Sequence, residues 1–305
     1  MKIGIFDSGL GGLLIAKSII KAMPEYDYVY LGDTKRVPYG NRSHETVYEF
    51  TKEAVEYLFE KENCGLVIIA CNTASARALR RLQQEFLPKY DIASPGASTQ
   101  VLGSSRDYTR PDHSQKHTGS ATLSRRILGV LIPAAEEAAK YKKVGVLATV
   151  GTVASESFVK EILARSSFSE GGKKINNKTK VYQNAAPMLV PLIEAGETNN
   201  TKVFLDKYLK PLLVKKVEAL ILGCTHYPIL KNEIKKIVPS NVKIISQDEI
   251  IPKKLKDYLT RHPEINKNLK KSKKVKILFT DITPTVEGLT KKWFGKEIKP
   301  QYVEI

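Results

Sequence analysis

The sequence predicts an α/β fold built from two similar halves, and three observations lead there. Short apolar runs rich in Ile, Val and Leu alternate with amphipathic, helix-like segments, which is the pattern of parallel strands joined by crossover helices. The segment Lys2-Ile3-Gly4-Ile5-Phe6-Asp7-Ser8-Gly9 is echoed by Lys143-Val144-Gly145-Val146-Leu147-Ala148-Thr149-Val150. Downstream stands Leu66-Val67-Ile68-Ile69-Ala70-Cys71-Asn72-Thr73 in the first half, and Ala219-Leu220-Ile221-Leu222-Gly223-Cys224-Thr225-His226 in the second. A cysteine just past a strand in each half would put both thiols at carboxyl ends of strands, where open α/β sheets bind ligands.

Taken in order, strands are expected at 2–6, 28–31, 66–70, 127–131, 144–147, 219–222, 242–245 and 275–279, apolar runs of strand length. Helices are expected at 46–61, 74–84, 134–141, 155–165, 203–214 and 231–238. The stretch from about 94 to 126 breaks the alternation. It is rich in Ser, Thr, Gly, Arg and His, lacks either periodicity, and reads as an inserted, mobile loop. His113 and His117 could bind a metal from one helix face, but Pro111 and Gly119 argue against a helix, so they read as solvent-exposed.

At 305 residues, 42% of them apolar, the chain can bury a sizeable core, and at roughly 100–200 residues per domain it suggests two domains. Its longest apolar stretches fall far short of the ~20 residues that cross a bilayer, and it opens on the strand-like 2–6, so a soluble cytoplasmic protein with no membrane partner is expected. A net charge of +17 and a pI near 9.6 favour anions, nucleic acid included. Lysine is spread widely, however, and is densest at 253–276, where it reads as solvated surface. With no helix-turn-helix, RNP or zinc-finger signature, specific nucleic-acid binding is not expected. Three cysteines make no disulfide framework, and none has zinc-ligand spacing, so reduced thiols and no metal are expected.

A cysteine at a strand-to-helix junction lies near backbone N–H groups and the positive end of the helix dipole, which lowers its thiol pKa from about 8.5. Cys71 and Cys224 both read this way. Their polar neighbours Asn72, Thr73, Thr225 and His226 argue against plain core packing, because buried polar groups need partners. Cys64, at the end of an expected helix, reads as structural. His226 could be a general acid, a thiol-orienting group or a metal ligand; with no further Cys or His ligand in reach, the thiol-assisting role is favoured. The turn Asp7-Ser8-Gly9-Leu10-Gly11-Gly12 could bind phosphate at a helix start. It lacks G-x-G-x-x-G spacing and a P-loop Lys, and its acidic residue suits an ammonium group better. The loop after 28–31, with Pro38 and Gly40, reads as turn-rich.

Together, Phe6 to Gly12, Gly32-Asp33-Thr34 through Pro38-Tyr39-Gly40, Ala70-Cys71-Asn72-Thr73-Ala74-Ser75 and Gly223-Cys224-Thr225-His226-Tyr227-Pro228 resemble the bacterial glutamate racemases. The likeness runs over nearly the whole chain apart from the insertion, with four motifs in the right order. It implies two Rossmann-like α/β domains related by pseudo-twofold symmetry with the active site between them: 1–92 with 247–305 as the first, 93–126 as the inserted loop, and 127–246 as the second. It implies no cofactor, a homodimer, and interconversion of L- and D-glutamate for peptidoglycan synthesis.

Carried over residue by residue, the resemblance makes Cys71 and Cys224 the proton acceptor and donor on opposite faces of the α-carbon. It makes Asp7, Ser8, Tyr39, Gly40, Asn72, Thr73, Thr225 and His226 substrate contacts, with Pro38 in the same loop. Thr149 and Thr152 fall where the family also holds the substrate carboxylate, and Glu194 resembles an acidic residue near the second cysteine. Inverting a stereocentre without a cofactor needs a proton removed from one face and delivered to the other, so one thiol must be ionised while its partner is protonated. An aspartate racemase would use the same chemistry, though the Gly-Cys-Thr-His-Tyr-Pro form favours glutamate. A pyridoxal-phosphate enzyme is disfavoured because no lysine stands in a convincing Schiff-base context.

Overall fold

The computed structural model describes residues 1–91, 125–166, 179–295 and 297–305. The expected insertion, with His113 and His117, lies outside the described residues except for Arg125 and Arg126. The chain first forms β1 (Lys2–Asp7), α1 (Gly12–Ala22), β2 (Tyr28–Gly32), α2 (His44–Glu60), β3 (Cys64–Ile69), α3 (Asn72–Arg81), α4 (Pro88–Asp91) and β4 (Arg126–Gly129). It continues through α5 (Leu131–Ala138), β5 (Lys143–Ala148), α6 (Val150–Ala154), α7 (Ser157–Ser166), β6 (Lys180–Ala185), α8 (Leu189–Glu194), α9 (Thr201–Leu213), β7 (Ala219–Gly223), α10 (Lys231–Ile237) and β8 (Lys243–Ile245). It ends in α11 (Gln247–Arg261), α12 (Pro263–Asn266), β9 (Val275–Phe279), α13 (Pro284–Trp293) and β10 (Gln301–Tyr302).

Two parallel sheets result, one ordered β10-β9-β2-β1-β3-β4 and the other β6-β5-β7-β8. The orders β2-β1-β3-β4 and β6-β5-β7-β8 correspond position by position, which is the structural form of the internal echo. The strands read as unbroken apolar runs because both faces are covered. On β1 and β3, Ile3, Ile5, Leu66 and Ile68 enter one core, and Phe6, Val67 and Ile69 enter another beneath α2 and α3. The first of these cores continues to Leu220 and Leu222 of β7, so the two sheets share it. Residues of α5 and α7, Phe158 among them, cover the far face of the second sheet.

Several expectations need correcting. The strand expected at 127–131 ends at Gly129, and its Ile127 pairs with Val67 of β3, so it is the edge of the first sheet. Apolar periodicity reveals a strand but not its partner. β6 has no counterpart among the expected strands: it is a half-exposed edge whose Gln183 and Asn184 interrupt the apolar pattern. The expected helix 155–165 is preceded by a separate short one, α6, and the two are parted at Glu156, whose φ is +53°. Cys64 opens β3 rather than closing a helix, and burial pushes its thiol up to about 12. Among the described residues, no helix is long and apolar enough to cross a membrane.

Candidate active site

A cavity of about 340 Å3 opens between the carboxyl ends of the two sheets. That is the lower end of the ~300–1,000 Å3 range of small-molecule sites. From the first half it is lined by Ser8, Tyr39, Gly40, Cys71, Asn72 and Thr73, and from the second by Thr149, Glu194, Cys224, Thr225 and His226. Pro38 borders it, and the Val37–Pro38 peptide is cis. Of the residues singled out in the sequence, Asp7 and Thr152 do not line it; both are buried behind the wall.

In the first half, β1 delivers Asp7 and the tight turn after it. Asp7 Oδ2 accepts the Gly9 N–H at 3.0 Å, and Tyr30 donates its hydroxyl to the Gly9 carbonyl at 2.8 Å. The glycines serve close approach: a Cβ on Gly12 would stand 2.8 Å from Asp7 Cγ, and one on Gly11 would collide with Thr225 and His226 across the cleft. Burial raises the Asp7 pKa, against the opposing pull of the His226 charge and the Gly9 and Gly12 amides. Oδ1 has no hydrogen-bond partner of good geometry, although the Gly12 amide lies near enough to favour its ionised form.

Cys71 caps α3, its sulfur accepting the Ala74 N–H at 3.4 Å and the Ser8 hydroxyl at 3.1 Å. The expected lowering of its pKa does not occur. Burial and the neighbouring Asp7 push the thiol up to about 12, outweighing both hydrogen bonds. Beside it, Thr73 shares its hydroxyl with Thr149 at 3.0 Å and Thr152 at 3.2 Å, a cluster that joins the two halves. The Asn72 amide is bonded to Gln247. The Tyr39 hydroxyl is committed to the buried Asp33 at 2.5 Å, which also accepts Arg36 Nε at 2.6 Å and the Thr280 hydroxyl at 2.8 Å. Burial and Asp33 together raise the Tyr39 pKa, keeping the phenol protonated.

In the second half, Cys224 follows β7 but caps no α-helix; a short 3-10 turn, Tyr227–Leu230, comes next. Its sulfur lies 3.7 Å from His226 Nδ1, and His226 Nε2 lies 2.9 Å from Glu194 Oε1. Burial disfavours the imidazolium, yet hydrogen bonding to Cys224 and Glu194 prevails and raises His226 to about 10. The Trp293 ring packs edge-on against this imidazole.

Sequence reading missed Gln247, the role of Asp33, and the apolar wall of Ala186, Pro187, Val190 and Pro191. Asp33 was visible within its motif; the wall follows the unrecognised β6, and nothing local marks Gln247. The arrangement offers two sulfurs, one from each sheet, facing one small chamber with hydroxyl and amide donors around it. Among the described residues, no cluster of three or more His, Cys, Asp or Glu side chains is placed to hold a metal.

Residues 125–250 match the family model described as Asp/Glu/Hydantoin racemase. The glutamate racemase of Sulfurihydrogenibium sp. (strain YO3AOP1) is 34% identical over 308 residues, covering 100% of this chain and 98% of that one. The glutamate racemase of Aquifex aeolicus (strain VF5) is 36% identical, with coverage of 99% and 97%. In three dimensions, the Francisella tularensis glutamate racemase, solved in complex with D-glutamate, superposes with a TM-score of 0.77 at 27% identity, covering 99% and 97% of the two chains. Since relatives this similar extend from end to end of a chain that places the family's motifs around one chamber, the protein belongs to the glutamate racemases, a family of isomerases.

Proposed function

We propose that this chain interconverts L- and D-glutamate without a cofactor, with Cys71 and Cys224 moving the proton at the α-carbon. The observation that carries the reading is the pair of sulfurs, contributed by separate sheets to one cavity and each only 6% exposed. A thiolate on one side takes the α-proton and becomes a thiol. The thiol on the other side gives its proton to the opposite face of the carbanion and becomes the thiolate. Bonds and charge balance, and the roles exchange when the reaction runs backwards.

A substrate ammonium group entering beside Cys71 and Asp7 adds a positive charge, which favours a thiolate there. His226, held by Glu194, is placed to pass a proton to the Cys224 sulfur. Ser8, Thr73, Thr149 and Thr225, with the N–H groups at the start of α3, supply donors for the substrate carboxylates as charge builds.

The names of the relatives support glutamate as substrate, and the product would supply D-glutamate for peptidoglycan. The requirement for reduced thiols supports a cytoplasmic location. Division of the chain into 1–92 with 247–305 and 127–246 is supported by packing of α11 on α1, except that β4, at the start of the second stretch, belongs to the first sheet. The homodimer implied by the resemblance is checked by sedimentation of the purified chain.

The test is circular dichroism of the protein with L-glutamate and, separately, with L-aspartate, no cofactor being added. Optical activity should decay with glutamate. Cys71→Ser and Cys224→Ser should each lower the rate by about a hundredfold or more; full activity in either variant refutes the two-thiol reading.

A further inference from the structure

We infer that Gln247 is a positioning residue for the proposed reaction: with the Val130 carbonyl, it fixes which way round the Asn72 amide sits in the substrate cavity. The inference rests on the racemase reading given above. Asn72 is the first residue of α3 and lines the cavity; Gln247 is the first residue of α11 and lies outside the cavity wall. The two are 2% and 1% exposed, so neither amide can turn to water for a partner. Asn72 Nδ2 donates to Gln247 Oε1 at 2.7 Å, and Gln247 Nε2 donates to Asn72 Oδ1 at 2.6 Å.

Two amides that exchange hydrogen bonds in this way bond equally well if both rotate by half a turn, so the pair alone does not choose an orientation. The Val130 carbonyl chooses. It only accepts, and it takes the second hydrogen of Gln247 Nε2 at 3.3 Å. The reversed pair would set Gln247 Oε1 against that carbonyl, two acceptors face to face in a buried place. Gln247 is therefore locked, and through it Asn72 is locked with Oδ1 engaged and one Nδ2 hydrogen to spare. Among the described residues, that hydrogen has no other acceptor, which leaves it for a substrate carboxylate.

The location gives the lock a second consequence. Val130 lies between β4 and α5, and Gln247 follows β8, so the bond ties together the two places where the chain passes between the sheets. The orientation of a substrate-binding side chain thus depends on how those two crossings sit against each other.

The test uses the full chain and steady-state kinetics in both directions. Gln247→Leu should raise KM for each enantiomer about tenfold with kcat within about threefold, since an interaction made equally before and during the reaction is lost. In an Asn72→Ala background the same substitution should leave KM unchanged, because Gln247 acts through Asn72 alone. An unaltered KM in folded Gln247→Leu, or an equal rise in the Asn72→Ala background, overturns the inference. Should Gln247→Leu not fold, Gln247→Glu decides. Its carboxylate can donate to neither partner, while its protonated form regains a donor, so its KM relative to the parent should fall as pH is lowered; a ratio independent of pH overturns the inference. A parent chain that racemises nothing overturns both this inference and the racemase reading, whereas an active parent with unchanged Gln247 variants overturns only this inference.

Discussion

Asp7 shows how a single residue can serve chemistry at the expense of stability. It is 1% exposed, its pKa is raised by burial, and one of its oxygens lacks a well-formed hydrogen bond. A carboxyl whose folded pKa lies above its unfolded one subtracts stability at every pH where the unfolded chain would be ionised, and subtracts nothing once both states are protonated. Asp7→Asn should therefore melt higher than the parent at neutral pH. That gain should shrink as pH falls toward the ordinary value near 3.8. Racemisation by the same variant should drop by about tenfold or more, since the charge beside Cys71 is gone. A variant that melts lower at neutral pH shows that the ionised carboxylate is instead a net stabiliser. Cys71 teaches the complementary lesson. Its position at a helix start was legible from Ala70-Cys71-Asn72, but the sign of its pKa shift depended on burial and on Asp7, which only folding brings near.

Among the elements, α6 and the turn at Tyr39–Asn41 decide how closely the two halves meet over the cavity. They touch at Gly151, where a Cβ would come within 2.6 Å of the Gly40 carbonyl oxygen and 3.1 Å of the Arg77 guanidinium. Backbone cannot give way as a flexible side chain does, and inserting a methyl group into tight packing costs about 1–3 kcal/mol. Gly151→Ala should push the turn off α6 and raise KM for glutamate roughly tenfold, with a small change in melting temperature. An unchanged KM would show that the contact is not needed for binding. The same turn is anchored on its other side by Asp33, which holds Tyr39, Arg36 and Thr280 at once. The motif Gly32-Asp33-Thr34 was visible in the sequence, but its partner Thr280 lies far along the chain, so the anchor was not.

At the scale of the whole molecule, one core runs from Ile3 and Ile5 of the first sheet to Leu220 and Leu222 of the second. Neither half can expose its share without disturbing the other, so a single unfolding transition is expected. The chain's one tryptophan, Trp293 on α13, packs against His226 from the second half and so reports the junction. Its fluorescence and the far-ultraviolet circular dichroism should trace the same thermal curve; separated midpoints would show that the halves unfold independently. The sequence by itself determined the α/β class, the two-fold echo and the cysteine after a strand in each half, because period, apolar run length and local motif are properties of neighbouring residues. Only the tertiary structure decided that β4 belongs to the first sheet, that the segment after β6 supplies an apolar wall, and that Gln247 meets Asn72 across 175 positions. Hydrogen-bond partners and burial are set by distance in space, and no local pattern of residues encodes which remote atoms will come within reach.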